Sequence, residues 1–134
     1  GWRGEGGSWC HRGGPSPEQV EKYSALFVDR TLDDIDATDA QRTQIQAVRK
    51  DLLKEGMALK DQKRATHEDL LKILEVDKPD AAKLHALVDA RIEDLRQLAH
   101  EAADSALEVH GTLNPEQRVK LAEKLRERQA RWEK

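Results

Sequence analysis

Three short segments of this chain repeat one local pattern: Ser16-Pro17-Glu18-Gln19, Thr38-Asp39-Ala40-Gln41 and Asn114-Pro115-Glu116-Gln117. Each opens with a residue whose side-chain oxygen can accept an orphan N–H in the first turn of a helix. Each closes with a Gln whose side chain can reach back to the N–H of that cap. Pro17 and Pro115 fall at the first helical position, where a missing N–H does no harm. Asp77-Lys78-Pro79-Asp80 follows the same logic with an acid as the cap. Four starts predict four helices, near 17–33, 39–75, 78–110 and 115–132, and an all-α fold.

The glycines agree with this division. Six of the eight lie in residues 1–14, and each costs a helix about 1 kcal/mol relative to Ala. Residues 1–15 are therefore expected to form a flexible Gly-rich arm, and residues 16–134 a single helical domain. With 37% hydrophobic, 4% aromatic and 37% charged residues, the chain is too polar for a thick core. That balance suits long, two-sided helices. A disordered chain would lack the apolar periodicity described next.

In the third helix Leu84, Val88, Arg91, Leu95, Leu98, Ala102, Ser105 and Val109 alternate spacings of four and three, a seam with polar entries at Arg91 and Ser105. The second helix begins with Ile45, Val48 and Leu52, breaks at Glu55, resumes at Leu59 and ends with Leu70, Leu71, Ile73 and Leu74. The first offers Val20, Tyr23, Leu26 and Phe27; the fourth offers Val119, Ala122, Leu125 and Trp132. At 1.5 Å per residue the second helix is roughly 55 Å long. A long antiparallel hairpin of this kind is elongated, and its stripe calls for cover from a second copy, so a homodimer is expected.

A net charge of −3 supplies no basic field for nucleic acid, which is not expected as a partner. The charge alternates along the chain, from −5 over residues 18–41 to +2 over 42–75, −4 over 76–113 and +3 over 114–134. Helices adjacent in sequence therefore attract when packed side by side. No apolar run approaches the ~20 residues of a membrane span, so membrane insertion is not expected. Cys10 is the single cysteine, which excludes an intrachain disulfide. No leader is evident, as expected of a cytosolic protein or of a mature form.

No nucleophile elbow, phosphate loop, HExxH or dinucleotide motif occurs, so an enzyme is not expected and no cofactor is required. No two histidines stand four apart, which removes the usual helical two-imidazole metal site. If the hairpin turns near Lys78, His100 lies opposite Gly56 and Met57 with Asp104 one turn on, a conceivable His–Met–carboxylate set or simply exposed helix residues. Cys10-His11 on the arm is the better metal candidate, for Zn or Cu, with a dimer supplying four ligands; the alternative is an inert tail. In the second helix Lys60-Asp61-Gln62-Lys63-Arg64 contains no apolar residue. It reads either as a solvated face or, through Lys54, Met57, Leu59, Lys60, Lys63 and Arg64, as a surface for unfolded chains.

Two of the capped starts resemble a known pattern. Ala37-Thr38-Asp39-Ala40-Gln41-Arg42-Thr43-Gln44-Ile45 and Leu113-Asn114-Pro115-Glu116-Gln117-Arg118 are similar to the paired LTxxQ motifs of the Spy/CpxP family of bacterial envelope-stress proteins. Ala37 replaces Leu and Asn114 replaces Thr, and both segments keep a cap followed by Gln. The resemblance covers residues 17–132. It implies a cradle-shaped homodimer in the periplasm, present as a mature form without its leader. It also implies an ATP-independent chaperone for unfolded or partly folded proteins, an accessory to a membrane sensor kinase, or a metal-binding (Zn, Cu or Ni) sensor or regulator of a two-component stress response. Thr38, Gln41, Asn114 and Gln117 carry over as helix caps.

Overall fold

A computed structural model describes residues 14–133. Among them every regular element is a helix: α1 (Pro17–Asp34), α2 (Asp39–Leu74), α3 (Ala81–Thr112) and α4 (Pro115–Trp132). The expected arm at residues 1–15 lies almost wholly outside the described residues. Three complete capping boxes open α1, α2 and α4, at Ser16, Thr38 and Asn114. The start of α3 differs from the expected one. Its cap is Asp80, whose carboxylate accepts the N–H of Lys83 at 3.2 Å, so Asp77 to Pro79 belong to the turn. Lys83 at the third helical position has no acceptor to return to the cap, so this box stays half made.

Helix α1 ends without glycine. Asp36 takes the left-handed conformation, φ 56°, and the N–H groups of Ala37 and Asp36 donate to the carbonyls of Leu32 (3.0 Å) and Asp33 (3.2 Å). This is a Schellman closure, which folds Ala37 back onto Leu32. The chain then reverses, and α2 runs antiparallel to α1. Polar contacts fasten the pair. Arg49 grips Glu21 with both terminal nitrogens, at 2.8 and 2.9 Å, and donates to Ser24 at 3.0 Å. Gln46 donates to the Ala25 carbonyl at 3.2 Å, and Arg42 pairs with Asp33 at 2.7 Å. The Arg49 hydrogen bonds hold the Glu21 carboxyl below its ordinary range. An acidic α1 thus lies on the basic start of α2, as the alternating charge requires.

Helices α2 and α3 form the long hairpin. At 36 residues, α2 is about 54 Å long. The core lies at the end of the hairpin away from its tip: Leu32, Ile35, Ile45 and Leu113 are buried together, with Val28, Ala37, Val109 and Leu121 packed around them. Away from that end the hairpin packs as a two-helix seam. Leu52, Leu59, Leu70 and Ile73 of α2 and Leu84, Leu87, Leu98 and Val109 of α3 are each half-buried. Arg91 crosses the seam to donate to Thr66 Oγ1 at 2.9 Å.

The seam departs from the expected heptad stripe. Val88, Leu95 and Ala102 are exposed, and Leu87 and Asp94 occupy the interface instead. Leu84, Arg91, Leu98 and Ser105, each seven apart, all stay half-buried, so the heptad repeat is kept and only its alternate set, at Leu87 and Asp94, sits one residue earlier than expected. The apolar sides of the short helices also shift. Tyr23, Leu26 and Phe27 of α1 and Val119, Leu125 and Trp132 of α4 are exposed, while Thr31, Leu32 and Gln117 are buried.

Gly56 stands in the middle of α2, and a Cβ added there meets nothing within 4 Å. Gly56→Ala should therefore stabilise the protein by about 0.5–1 kcal/mol, read as a higher urea midpoint at unchanged slope. A loss of stability would mean that the helix is interrupted there.

Candidate functional site

The residues of the paired motifs do more than cap. Gln41 Nε2 donates to Gln117 Oε1 at 2.9 Å and to the Thr112 carbonyl at 2.7 Å. Gln117 Nε2 returns a bond to Gln41 Oε1 at 2.9 Å and reaches the Asp36 carbonyl at 3.4 Å. Each Oε1 also accepts the N–H of its own cap, Thr38 or Asn114, at 2.9 Å. Both donors and both acceptor positions of each amide are used. The caps at Thr38, Gln41, Asn114 and Gln117 thus form one knot that joins two starts 76 residues apart, directly against the core.

The hairpin presents two chemically different sides. On the side that α1 covers, a trough starts beside the core at Val28, Val48, Leu52, Leu53 and Val109. Past the N-terminus of α1 it opens into a groove of about 420 Å³ lined by Gly56, Leu59, Lys60, Lys63, Thr66, Arg91 and Leu95. Leu95 is 56% exposed and lines the groove with Leu59, beside Lys60, Lys63 and Arg91, so the groove has an apolar floor with a cationic rim. The opposite side is acidic: Glu55, Asp61, Asp94 and Glu101 line one depression, and Asp51 and Asp104 line the next.

Of the residues expected to bind unfolded chains, Leu59, Lys60 and Lys63 are brought together in the groove. Lys54 lies on the acidic side. Met57 is half-buried and Arg64 exposed, and neither lines the groove. The sequence reading missed Arg91 and Leu95 as groove residues because it placed both in the seam. The hairpin register, with Arg91 against Thr66, carried the information needed to find them.

The metal candidates fare differently. Among the described residues, no three His, Cys, Asp or Glu side chains form a group that could hold a metal ion. His100 is exposed, as is Asp104. The donor set of the described residues therefore does not fit a metal centre. Cys10 and His11 lie outside the described residues.

The conserved-domain match is to heavy-metal resistance, over residues 6–120. The chain belongs to the heavy-metal resistance family. The matched span contains the Gln knot, the hairpin groove and the Cys10-His11 pair, and it ends at the sixth residue of α4. No curated protein and no solved structure matches the chain. No helix among the described residues is long and apolar enough to cross a membrane.

The knot should dominate stability in this family member. Gln41→Ala or Gln117→Ala leaves a buried amide and a cap N–H without partners, and should cost about 1–3 kcal/mol, against about 0.5–2 kcal/mol for Thr38→Ala or Asn114→Ala. Because the two amides share their bonds, the double variant should lose less than the sum of the singles, with a coupling of about 0.5–3 kcal/mol. Urea melts of the four proteins in the cycle measure this, and strict additivity would contradict a shared knot.

Proposed function

We propose that the protein serves heavy-metal resistance as an ATP-independent, periplasmic chaperone of the Spy/CpxP type, holding unfolded or partly folded proteins without catalysing a reaction. The observation that carries this reading is the groove of Leu59 and Leu95 rimmed by Lys60, Lys63 and Arg91. Mobile cations recruit a chain at long range, and a small apolar floor holds it without sequence demand. Metal stress exposes proteins to soft, thiol-seeking ions, so a holding protein supports resistance with no metal centre of its own.

Light scattering of an aggregating client tests the reading. The protein should suppress aggregation without nucleotide, and protection should weaken as salt rises, since charges more than ~8–10 Å apart are screened at physiological ionic strength. Leu59→Ser with Leu95→Ser, and separately Lys60→Gln with Lys63→Gln, should each reduce protection. Removal of residues 1–14 should leave it intact.

A second reading is favoured by one observation, the family match that begins at residue 6 and so covers Cys10 and His11. Under it the protein is a metal-binding regulator of a stress response, acting on a membrane sensor kinase, with Zn or Cu on a thiolate–imidazole pair completed by a partner chain. The same truncation, or Cys10→Ser with His11→Ala, would then abolish zinc or copper binding. A truncated protein that no longer protects clients, beside a full-length protein that needs added metal, decides for this second reading.

Both readings use a homodimer. The tip of the hairpin leaves Leu71, Leu74 and Val76 exposed, an apolar surface that a second copy can cover. Sedimentation at micromolar concentration should give an elongated dimer; a compact monomer would exclude it.

A further inference from the structure

The pairing of α1 with α4 leaves a concavity that neither the hairpin nor the capping knot requires. The two helices run antiparallel. Lys120 meets Asp36 at 3.2 Å, and about two turns further on the Arg128 guanidinium lies over the Phe27 ring, 4.1 Å from its centroid. There the helices enclose a groove of about 620 Å³ with Tyr23, Leu26, Phe27 and Arg30 of α1 opposite Arg128 and Arg131 of α4. Tyr23 is 60% exposed, and Trp132 at the open end is 90% exposed.

The charges here are out of balance. Asp33 and Asp34 also line the groove, but Asp33 is already paired with Arg42 at 2.7 Å, which leaves Asp34 as the one uncompensated acid. Among the described residues, Arg30, Arg128 and Arg131 form no ion pair. Moreover, Nη1 of Arg128 is buried with no hydrogen-bond partner. Stacking on Phe27 holds the guanidinium plane in place, and the same guanidinium lines the groove.

We propose that the groove docks an acidic segment of a partner polypeptide. Its carboxylates pair with Arg128 and Arg131, and its apolar side chains lie on Tyr23 and Phe27. Guanidinium forks match carboxylates bidentately, and among the described residues three guanidinium groups outside any ion pair against one such acid set the sign of the partner. The concavity between two helices admits a single extended segment of chain, whereas a flat lipid surface would meet only its rim. The site is built from a different helix pair than the hairpin groove and stands apart from the proposed chaperone activity.

Fluorescence anisotropy with the full-length protein tests this, using a short fluorescein-labelled peptide of alternating Glu and Phe beside its Lys and Phe counterpart. The Glu peptide should bind, and more weakly as salt is added, while the Lys peptide should not. Arg128→Gln with Arg131→Gln should weaken binding by about tenfold or more. Arg30→Gln, at an exposed position that carries no packing, keeps the test valid if the double variant melts early, and it should also weaken binding. Lys60→Gln with Lys63→Gln should leave the affinity unchanged. Equal binding of the two peptides, unchanged affinity in the arginine variants, loss only in the lysine variant, or preference for anionic phosphatidylglycerol vesicles over the Glu peptide would each overturn the proposal.

Discussion

Two glutamine side chains decide where this molecule has its core. A capping box accepts Glu as readily as Gln at the third helical position, so local helix chemistry does not choose between them. The tertiary contact does. Gln41 and Gln117 face each other at 2.9 Å in both directions, and each must donate and accept at once. Two carboxylates there would have no donor between them and would repel. The amide pair ties the α1–α2 junction to the α3–α4 junction, through Asp36 on one side and Thr112 on the other. Once the junctions are joined, Ile35 and Leu113 have only each other and their neighbours to pack against. The hydrophobic core is small because it fills the space that this knot encloses.

Much of the fold was legible because helix starts are written locally. Three capping boxes placed three N-termini at the correct residue, and a turn near Lys78, with His100 opposite Gly56 and Met57, anticipated the pairing of Thr66 with Arg91. Two kinds of information were not legible. The end of α1 carries no glycine; Asp36 adopts the left-handed conformation because the Schellman closure and Lys120 hold it there. The sides of α1 and α4 that meet the core could not be read from apolar spacing either, since the largest apolar residues of both helices, from Tyr23 to Trp132, face outward while Gln117 faces in. Of the candidate groove, Leu59, Lys60 and Lys63 followed from the composition of α2, whereas Leu95 required knowing that the seam runs through Leu87 and Asp94, one residue before the expected positions.

The hairpin separates stability from surface. Near the core, packing and a fully satisfied amide pair fix the geometry. Toward the tip, the helices touch along a narrow seam broken by Arg91 and Asp94, with the Nε of Arg91 and Oδ2 of Asp94 buried at 3.3 Å and poorly aligned. Such a seam leaves both sides of the hairpin open. An exposed apolar floor beside a cationic rim thus lies on one side of the hairpin and a row of acids from α2 and α3 on the other.

Helix α1 sits between the two concave surfaces and serves each with a different side. Glu21, Ser24, Ala25 and Asp29 meet Arg49 and Gln46 of α2, while Tyr23, Leu26 and Phe27 line the groove with α4. Its attachment is uneven along its length. The C-terminal half is held by Val28, Leu32 and Ile35 in the core, but the N-terminal half is held chiefly by the Arg49–Glu21 pair, with Arg49 largely covered and Glu21 half exposed, and by side-chain hydrogen bonds. A pair with one open partner contributes about 0–1 kcal/mol, less than buried apolar side chains at about 1.5–3 kcal/mol each. The N-terminal half of α1 is therefore the weakest-held part of the described structure that borders both surfaces. Because local opening follows the distribution of such contacts, any motion there alters the mouth of the hairpin trough at Leu53 and the aromatic wall at Tyr23 together.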